Sequence, residues 1–432
     1  MKKYLRLGIM GLSLAAVVGL TGCGSSDNSN SKNESEAFSP RLDTEAKVVL
    51  NTTGYFGNFE ALDQVENDFN AYYPNVEFSY EQVSTENYES YIEANPGVDI
   101  VMTSQETFAK LGDKLTGQLV DLAAEDVKVG DIEEDMLKMS YHDGKLTTIP
   151  MSQNMYGLIV NVSLLEKEGL SVPNNYEEFL NVLETLKAKG YTPIQGPDSK
   201  VYAELTENAA FDLILNDKKL QDNLKAGDAS AVEALLPVVD RLTAIIDNGY
   251  TDYAVNQTYP QDNYDQAILR FFEGDVPFWV CNTEKVSGMK KRESKSEAFQ
   301  ANPFTYTYIF APLGDNGVYA YSEPWFGFSV NKDADDYDYA VEFVRFLATG
   351  DEINKIADVK GVPSVAKEKT GVAIYQDVLN PEKVEMEGIN DGTITQPMIS
   401  DWYTCMNRYA SGEYASAKEA VEAFVEMCAE SK

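Results

Sequence analysis

From residue 47 onward the chain alternates between two hydrophobic periods. Residues 47–51, KVVLN, form a short apolar run that predicts a buried strand, and the polar TTGYFGN after it predicts a loop. From Phe59, apolar side chains recur at Leu62, Val65, Phe69, Tyr72 and Tyr73, the spacing of one helix face, until Pro74 ends the run. Strands are predicted at 76–78 and, after the Asn95-Pro96-Gly97 turn, at 98–102. Strand, helix and strand in that order predict a parallel sheet covered by helices. Folds of this kind take ligands outside the C-terminal ends of their strands, which singles out Tyr55 and Phe56 after the first strand and Ser104, Gln105 and Glu106 after the later one.

Farther on, Asp143-Gly144-Lys145 predicts a turn leading into residues 149–161, IPMSQNMYGLIVN. There a polar centre, Gln153-Asn154, lies between the apolar Ile149-Pro150 and a strand-like 158–160. This stretch is expected to cross between two lobes and to turn Asn154, and secondarily Gln153, toward a ligand in the cleft. A second α/β lobe then begins: a short helix, LLEKEGL, precedes Pro173, and Asn175 with Glu178 resembles a capping box. The helix so started shows an apolar face of Tyr176, Phe179, Leu180, Leu183 and Leu186 and ends at Gly190. Residues 193–205 are polar, with Asp198, Tyr202 and Glu204 as cleft candidates. Helices are predicted over 231–246 and 262–272, a strand over 276–281 running into Asn282-Thr283-Glu284, and a charged loop over 287–300. Strands at 304–310 and 325–330, a helix over 337–349 stopped by Gly350, and a last helix from Ser416, boxed with Glu419, complete the reading.

A chain of 432 residues exceeds what one core usually supports, so two lobes are expected. A formal net charge of −35 disfavours general binding to nucleic acid or anionic lipid. Residues 1–22 have the parts of a secretory signal: Lys2, Lys3 and Arg6, then an apolar run over 7–20, shorter than the about 20 residues a membrane span needs. Leu20-Thr21-Gly22-Cys23 resembles a bacterial lipobox, in which Cys23 is lipidated and palmitate-type chains hold the protein to the membrane. Residues 23–45 are rich in Ser, Asn and Glu and predict a disordered tether. Cys281, Cys405 and Cys428 remain; their odd number and wide spacing point to buried free thiols, with Cys405 and Cys428 as the alternative pair.

No metal or cofactor is expected. His142, the single histidine, reads as an exposed loop residue without a second ligand nearby, and Asp333, Asp335, Asp336 and Asp338 lack the glycine and terminal glutamate of a calcium loop. No GxSxG, HExxH, CxxC or Walker sequence occurs, which speaks against an enzyme. A two-carboxylate glycosidase leaves no sequence motif and stays as the enzymatic alternative.

Several landmarks fall in one order: the lipobox; PGVDIVMTSQ; DGKLTTIPMSQNMYGLIVN; a Pro173-led helix ending LKAKGYTPI; FFEGDVPFWVCNTE; IFAPLGDNG; GFSVNKDADDYDYAVEFVRFLATGDE; and QPMISDWYT. Together they resemble the extracellular solute-binding proteins of ABC importers, family 1, the family of the maltodextrin-binding protein. The resemblance covers nearly all of residues 46–432. It implies a two-lobed, type II periplasmic-binding-protein-like α/β fold crossed three times, at the IPMSQN stretch, near 304 and near Ser329. The implied lobes are 46–151 plus 305–329 and 152–304 plus 330–432. Ligand contacts are implied at Tyr55, Phe56, Ser104, Gln105, Glu106 and Asn154, and from the far lobe at Tyr202, Glu284, Trp402 and Tyr403. The expected partners are a carbohydrate, with an oligosaccharide favoured, and the importer's permease, the protein itself being a monomer.

A pyranose offers apolar C–H faces and a rim of hydroxyls, so its site needs aromatic planes beside amides and carboxylates. Of the three tryptophans, Trp402 and Trp325 are assigned to ligand stacking and Trp279, inside an apolar strand, to the core. Thr103 and Glu284 stand where sugar binders of the family often carry an aromatic, which disfavours maltodextrin itself. Alternatives are a non-sugar solute on the same scaffold, such as a polyol, polyamine or chelated metal, or a lipoprotein sensor presenting its ligand to a partner protein.

Overall fold

A computed structural model describes residues 38–57, 59–197, 200–259, 264–314, 319–370, 373–380, 385–388 and 393–430. The expected signal, Cys23, the tether up to residue 37, and Asp198 lie outside the described residues.

Two sheets organise the chain. Their strands are β1 (Val48–Gly54), β2 (Val76–Gln82), β3 (Ile100–Thr103), β4 (Ile149–Pro150), β5 (Gln153–Asn161), β6 (Ile194–Gln195), β7 (Phe278–Asn282), β8 (Tyr306–Ile309), β9 (Tyr319–Pro324), β10 (Gly327–Val330) and β11 (Glu385–Gly388). The first sheet has the order β2-β1-β3-β10-β4, with β1 parallel to both β2 and β3 and β10 antiparallel to its neighbours. The second has the order β11-β9-β5-β7-β6, with β8 also paired to β5. Helices α1 (Glu60–Phe69), α2 (Gln105–Leu111), α3 (Lys200–Asn216), α4 (Ala229–Asp247), α5 (Tyr337–Leu347), α6 (Gly350–Lys360), α7 (Gln396–Ala410) and α8 (Ala417–Glu430) cover them. α1, α5 and α6 share the first sheet's core with Leu50, Ile100 and Phe328, whereas α3, α4, α7 and α8 share the second sheet's core with Leu158, Val160 and Phe278. Each sheet thus has its own core, and the molecule has two lobes.

β5 is the centre of the second lobe, and all nine of its residues are buried. Along one edge it pairs first with β9, Gln153 opposite Pro324, and then with β8, Asn161 opposite Tyr306; along the other it pairs with β7. At Gly157 a Cβ would run into the Ile309 carbonyl, so only glycine lets β8 lie this close.

The chain passes from the first sheet to the second between β4 and β5, returns between β9 and β10, and passes again after α6. This corrects the expected lobe limits. Strands β8 and β9 belong to the second sheet, so no passage occurs near 304, and α5 and α6 pack on the first. The reason is long-range pairing: β8 and β9 are fixed by β5, about 150 residues earlier, which local periodicity does not encode.

Other differences are local. α3 is buried continuously from Val201 to Phe211, so it shows almost no amphipathic stripe and reads from sequence as a polar connection. Residues 287–300 form two short helices, Met289–Lys295 and Glu297–Ala301, anchored by buried Met289 and Phe299 and capped by Ser296. Gly350 begins α6 rather than only closing the helix before it. Pro397 occupies the first turn of α7, where its missing N–H is harmless. The segment expected as the last part of the tether is docked: Phe38 packs edge-on against Tyr72 and Phe346, each at 5.0 Å, under the Arg345 guanidinium at 4.2 Å. Cys281, Cys405 and Cys428 are free thiols. His142 is half-buried rather than exposed, stacked on Phe108 at 3.5 Å, and burial pushes its imidazole down to about 4.

Glu342 on α5 joins this docked segment to the first lobe. Its carboxylate accepts from Tyr73 Oη at 2.6 Å, from Arg345 at 2.7 and 2.8 Å, and from the Arg41 main-chain N–H at 2.9 Å. Burial acts to raise its pKa, but these donors outweigh burial and hold it below the usual glutamate value. Its stabilising contribution is therefore complete above the unfolded value of about 4.3 and is lost as pH falls through the lower folded value. Glu342→Gln should cost about 1–3 kcal/mol at neutral pH, with the deficit shrinking in acid; urea melts of both proteins across pH test this. An unchanged deficit at low pH would show that charge has no part in it.

Candidate functional site

Between the two lobes lies a cleft of about 780 Å³. Its first-lobe wall is built where three segments end together. Tyr55 and Phe56 follow β1, Ser104, Gln105 and Glu106 open α2 after β3, and Trp325 sits at the passage between β9 and β10. Ser104 caps α2: its Oγ accepts from the Thr107 N–H at 3.2 Å while its own N–H donates to Thr107 Oγ1 at 2.8 Å. Gln105 donates to the Met139 carbonyl at 2.9 Å, and Glu106 pairs with Lys110 at 2.7 Å one turn on. Phe56 meets Tyr55 at 4.8 Å and Trp325 at 5.2 Å, both edge to face, so the three rings form one aromatic wall.

The opposite wall is polar and cross-linked. Asn154 Nδ2 donates to Tyr156 Oη at 3.1 Å, Tyr156 Oη donates to Glu323 Oε1 at 2.8 Å, and Gln396 Nε2 donates to Glu323 Oε2 at 3.2 Å. Asn154 Oδ1 in turn accepts the Glu284 main-chain N–H at 3.3 Å, which joins β5 to the end of β7. Burial, aided by the charge of Glu284, raises the Glu323 carboxyl against the hydrogen bonds from Tyr156, Asn154 and Gln396. Burial also pushes the hydroxyls of Tyr55, Tyr156 and Tyr403 well above the usual tyrosine value, reinforced by Glu284, Glu323 and Glu207 respectively. All three are neutral at physiological pH. The cleft thus presents aromatic planes on one side and a hydrogen-bonded array of amides, hydroxyls and carboxylates on the other.

Of the residues expected from sequence, Tyr55, Phe56, Ser104, Gln105, Glu106, Asn154, Glu284, Trp325 and Tyr403 line this one cleft. Gln153, Tyr202 and Trp402 do not, and each misses for a geometric reason. Successive strand residues point to opposite faces, so with Asn154 and Tyr156 on the cleft side Gln153 turns away, donating to Glu133 at 2.6 Å and to the Ser364 carbonyl at 2.9 Å. On α3, Lys200 and Glu204 share the cleft face at the i, i+4 spacing, which puts Tyr202 on the far side. There it is buried against Tyr253 and accepts from Asn256 at 3.3 Å.

Trp402 is fully enclosed, with its indole N–H on Thr206 Oγ1 at 3.1 Å and its ring against Phe424 at 4.9 Å. The neighbouring stripe of α7, with Gln396, Ile399, Ser400, Tyr403 and Thr404, faces the cleft instead. Trp279 is in the core of the second lobe. Sequence reasoning missed Tyr156, Lys200, Asn282, Glu323, Pro324 and most of the α7 stripe. Strand alternation from Asn154 carries the signal for Tyr156, and the three-to-four spacing around Tyr403 carries it for α7.

Residues 64–378 match the family model of the bacterial extracellular solute-binding proteins. The chain belongs to that family. A multiple sugar-binding protein of Streptococcus mutans is 21% identical over 235 residues, 52% of this chain and 52% of that protein, so the chain spans about half the length of the curated relative it matches. Apo RafE of Streptococcus pneumoniae is similar with a TM-score of 0.68 at 16% identity, covering 90% of this chain and 99% of RafE. A sugar transporter protein from Bacillus licheniformis, solved with stachyose, is similar with a TM-score of 0.60 at 16% identity over 88% and 98% of the two chains. Both likenesses are of fold. As an extracellular solute-binding protein the chain acts outside the cytoplasm, and no helix among its described residues is long and apolar enough to cross a membrane.

Proposed function

We propose that this solute-binding protein takes an oligosaccharide between its lobes and delivers it to the permease of an ABC importer. The observation that carries this reading is the aromatic wall of Tyr55, Phe56 and Trp325 facing the Asn154–Tyr156–Glu323–Gln396 array. Stacking planes meet a sugar's C–H faces, and the array meets its hydroxyls, each well-placed bond adding about 1 kcal/mol. The solutes named for the relatives, raffinose-type and other sugars, support the same class. Closure follows if the sugar contacts both walls, since it then binds the closed state better than the open one.

The protein works in this reading as a monomer tethered through lipidated Cys23 to the outer face of the membrane, without cofactor and without turnover. A second reading, a polyamine, draws on the carboxylates of Glu106, Glu204, Glu284 and Glu323 in the cleft wall against Lys200. Native mass spectrometry with raffinose, stachyose, maltotriose, chitotriose and spermidine separates the two. One added sugar mass, with the sugar recovered unchanged on chromatography, supports the proposal. Spermidine alone bound would replace it, and a shortened sugar would mean a glycosidase.

A further inference from the structure

We propose that Lys360 is a positioning residue for the cleft: its ammonium group, seated on the rings of Phe56, Phe59 and Trp325, fixes the aromatic wall. The inference rests on the reading of the cleft as an oligosaccharide site. Lys360 is the last residue of α6, and it does not itself line the cleft. Its Nζ lies 3.9 Å from the centre of the Phe56 ring, 5.3 Å from Phe59 and 5.4 Å from Trp325. Among the described residues no carboxylate comes within ion-pairing distance of it, so the rings are its seat. Cation–π attraction at such distances strengthens as water is excluded.

Two of these rings, Phe56 and Trp325, are the ones whose other surfaces face the cleft. A cation held among them restrains their tilt before any ligand arrives. Its backbone also bridges the lobes, because the Lys360 carbonyl accepts the Gly288 N–H at 3.0 Å, four residues beyond Glu284. One residue is therefore placed to hold the wall through its side-chain charge and an interlobe hydrogen bond through its main chain.

The charged surroundings set when that charge is present. Burial and Arg292, with a smaller push from Lys291, lower the Lys360 ammonium to about 8, while Glu284 and Glu60 oppose the fall. The cation is thus largely in place at neutral pH and is lost as pH rises through about 8. For folding the sign is opposite. Burying this cation costs stability at neutral pH, and that cost is relieved between about 8 and the unfolded lysine value of about 10.4. A purely structural lysine would move stability without a matching loss of wall order and affinity.

The test reads the ligand-free protein first. Trp279 and Trp402 are enclosed in the second lobe, so Trp325 is the indole beside Lys360. Tryptophan emission of the wild type should change with a midpoint near about pH 8, and this step should vanish in both Lys360→Met and Lys360→Arg. The second reading is affinity for raffinose and stachyose at about pH 7 and about pH 9. Wild type should weaken roughly threefold to tenfold, Lys360→Arg should hold its affinity at both values, and Lys360→Met should be weak at both. An emission profile unchanged by the substitutions, or Lys360→Met binding as wild type does at neutral pH, overturns the proposal. If neither sugar binds any variant, the oligosaccharide reading fails, and the emission titration still decides whether this charge sets the wall.

Discussion

Replacing Trp325 with alanine should weaken oligosaccharide binding by about 2–4 kcal/mol, roughly thirtyfold to a thousandfold, the largest single effect expected in the cleft. The indole is 8% exposed, meets Phe56 at 5.2 Å and Phe326 at 5.1 Å edge to face, and turns its remaining surface to the cleft. Truncation removes a stacking plane and also the support that holds Phe56 upright. The same change opens a cavity in the first-lobe core, so folding stability should fall by about 3 kcal/mol. Calorimetry well below the melting temperature separates the two effects. Trp325→Phe, which keeps a ring, should recover most of the stability and part of the affinity. Because Phe56 and Trp325 touch, Phe56→Ala combined with Trp325→Ala should lose less affinity than the sum of the single changes. Wild-type affinity in Trp325→Ala would remove this residue from the site.

Asn154→Ala should weaken binding by about 1–3 kcal/mol and lower stability by a similar amount. The amide holds two groups at once, donating to Tyr156 Oη at 3.1 Å and accepting the Glu284 N–H at 3.3 Å, and it is 4% exposed. Without it, the Glu284 N–H loses its acceptor and the Tyr156 hydroxyl is no longer held from below. Glu284 and Tyr156, both on the cleft wall, would then be less ordered for a ligand. Calorimetry beside urea melts distinguishes the possibilities: lost stability with unchanged affinity would make Asn154 a strut of β5 alone.

What the sequence makes legible follows from the range over which each signal acts. β1, α1 and β3 are visible because their apolar periods are local and one face of α1 is solvated. The cleft residues after β1 and β3 are visible for the same reason, since strand ends in a parallel sheet point where ligands bind. α3 is hidden because it is buried nearly all round, and helical periodicity reports only the difference between two faces. Trp402 and Tyr403 show the limit most directly. Both are aromatic and adjacent, yet a rotation of about 100° puts one into the core against Phe424 and the other into the cleft. That helix phase is set by what α7 packs against, which no local pattern records. The lobe limits fail on the same principle, because β8 and β9 are placed by their pairing with a distant β5.

The docked segment near Phe38 is a smaller case. Composition alone marks 23–45 as a tether, but Phe38 beside Tyr72, Phe346 and Arg345, together with the Arg41 N–H on Glu342, holds its last residues to the first lobe.

The most direct test of the account is a crystal structure of the protein grown with whichever of raffinose, stachyose, maltotriose or chitotriose it binds. The account predicts one sugar between the lobes, a ring face on Phe56 or Trp325 and hydroxyls toward Asn154, Glu323 and Tyr403. A bound sugar located anywhere else on the molecule, with this cleft open to solvent, would contradict it.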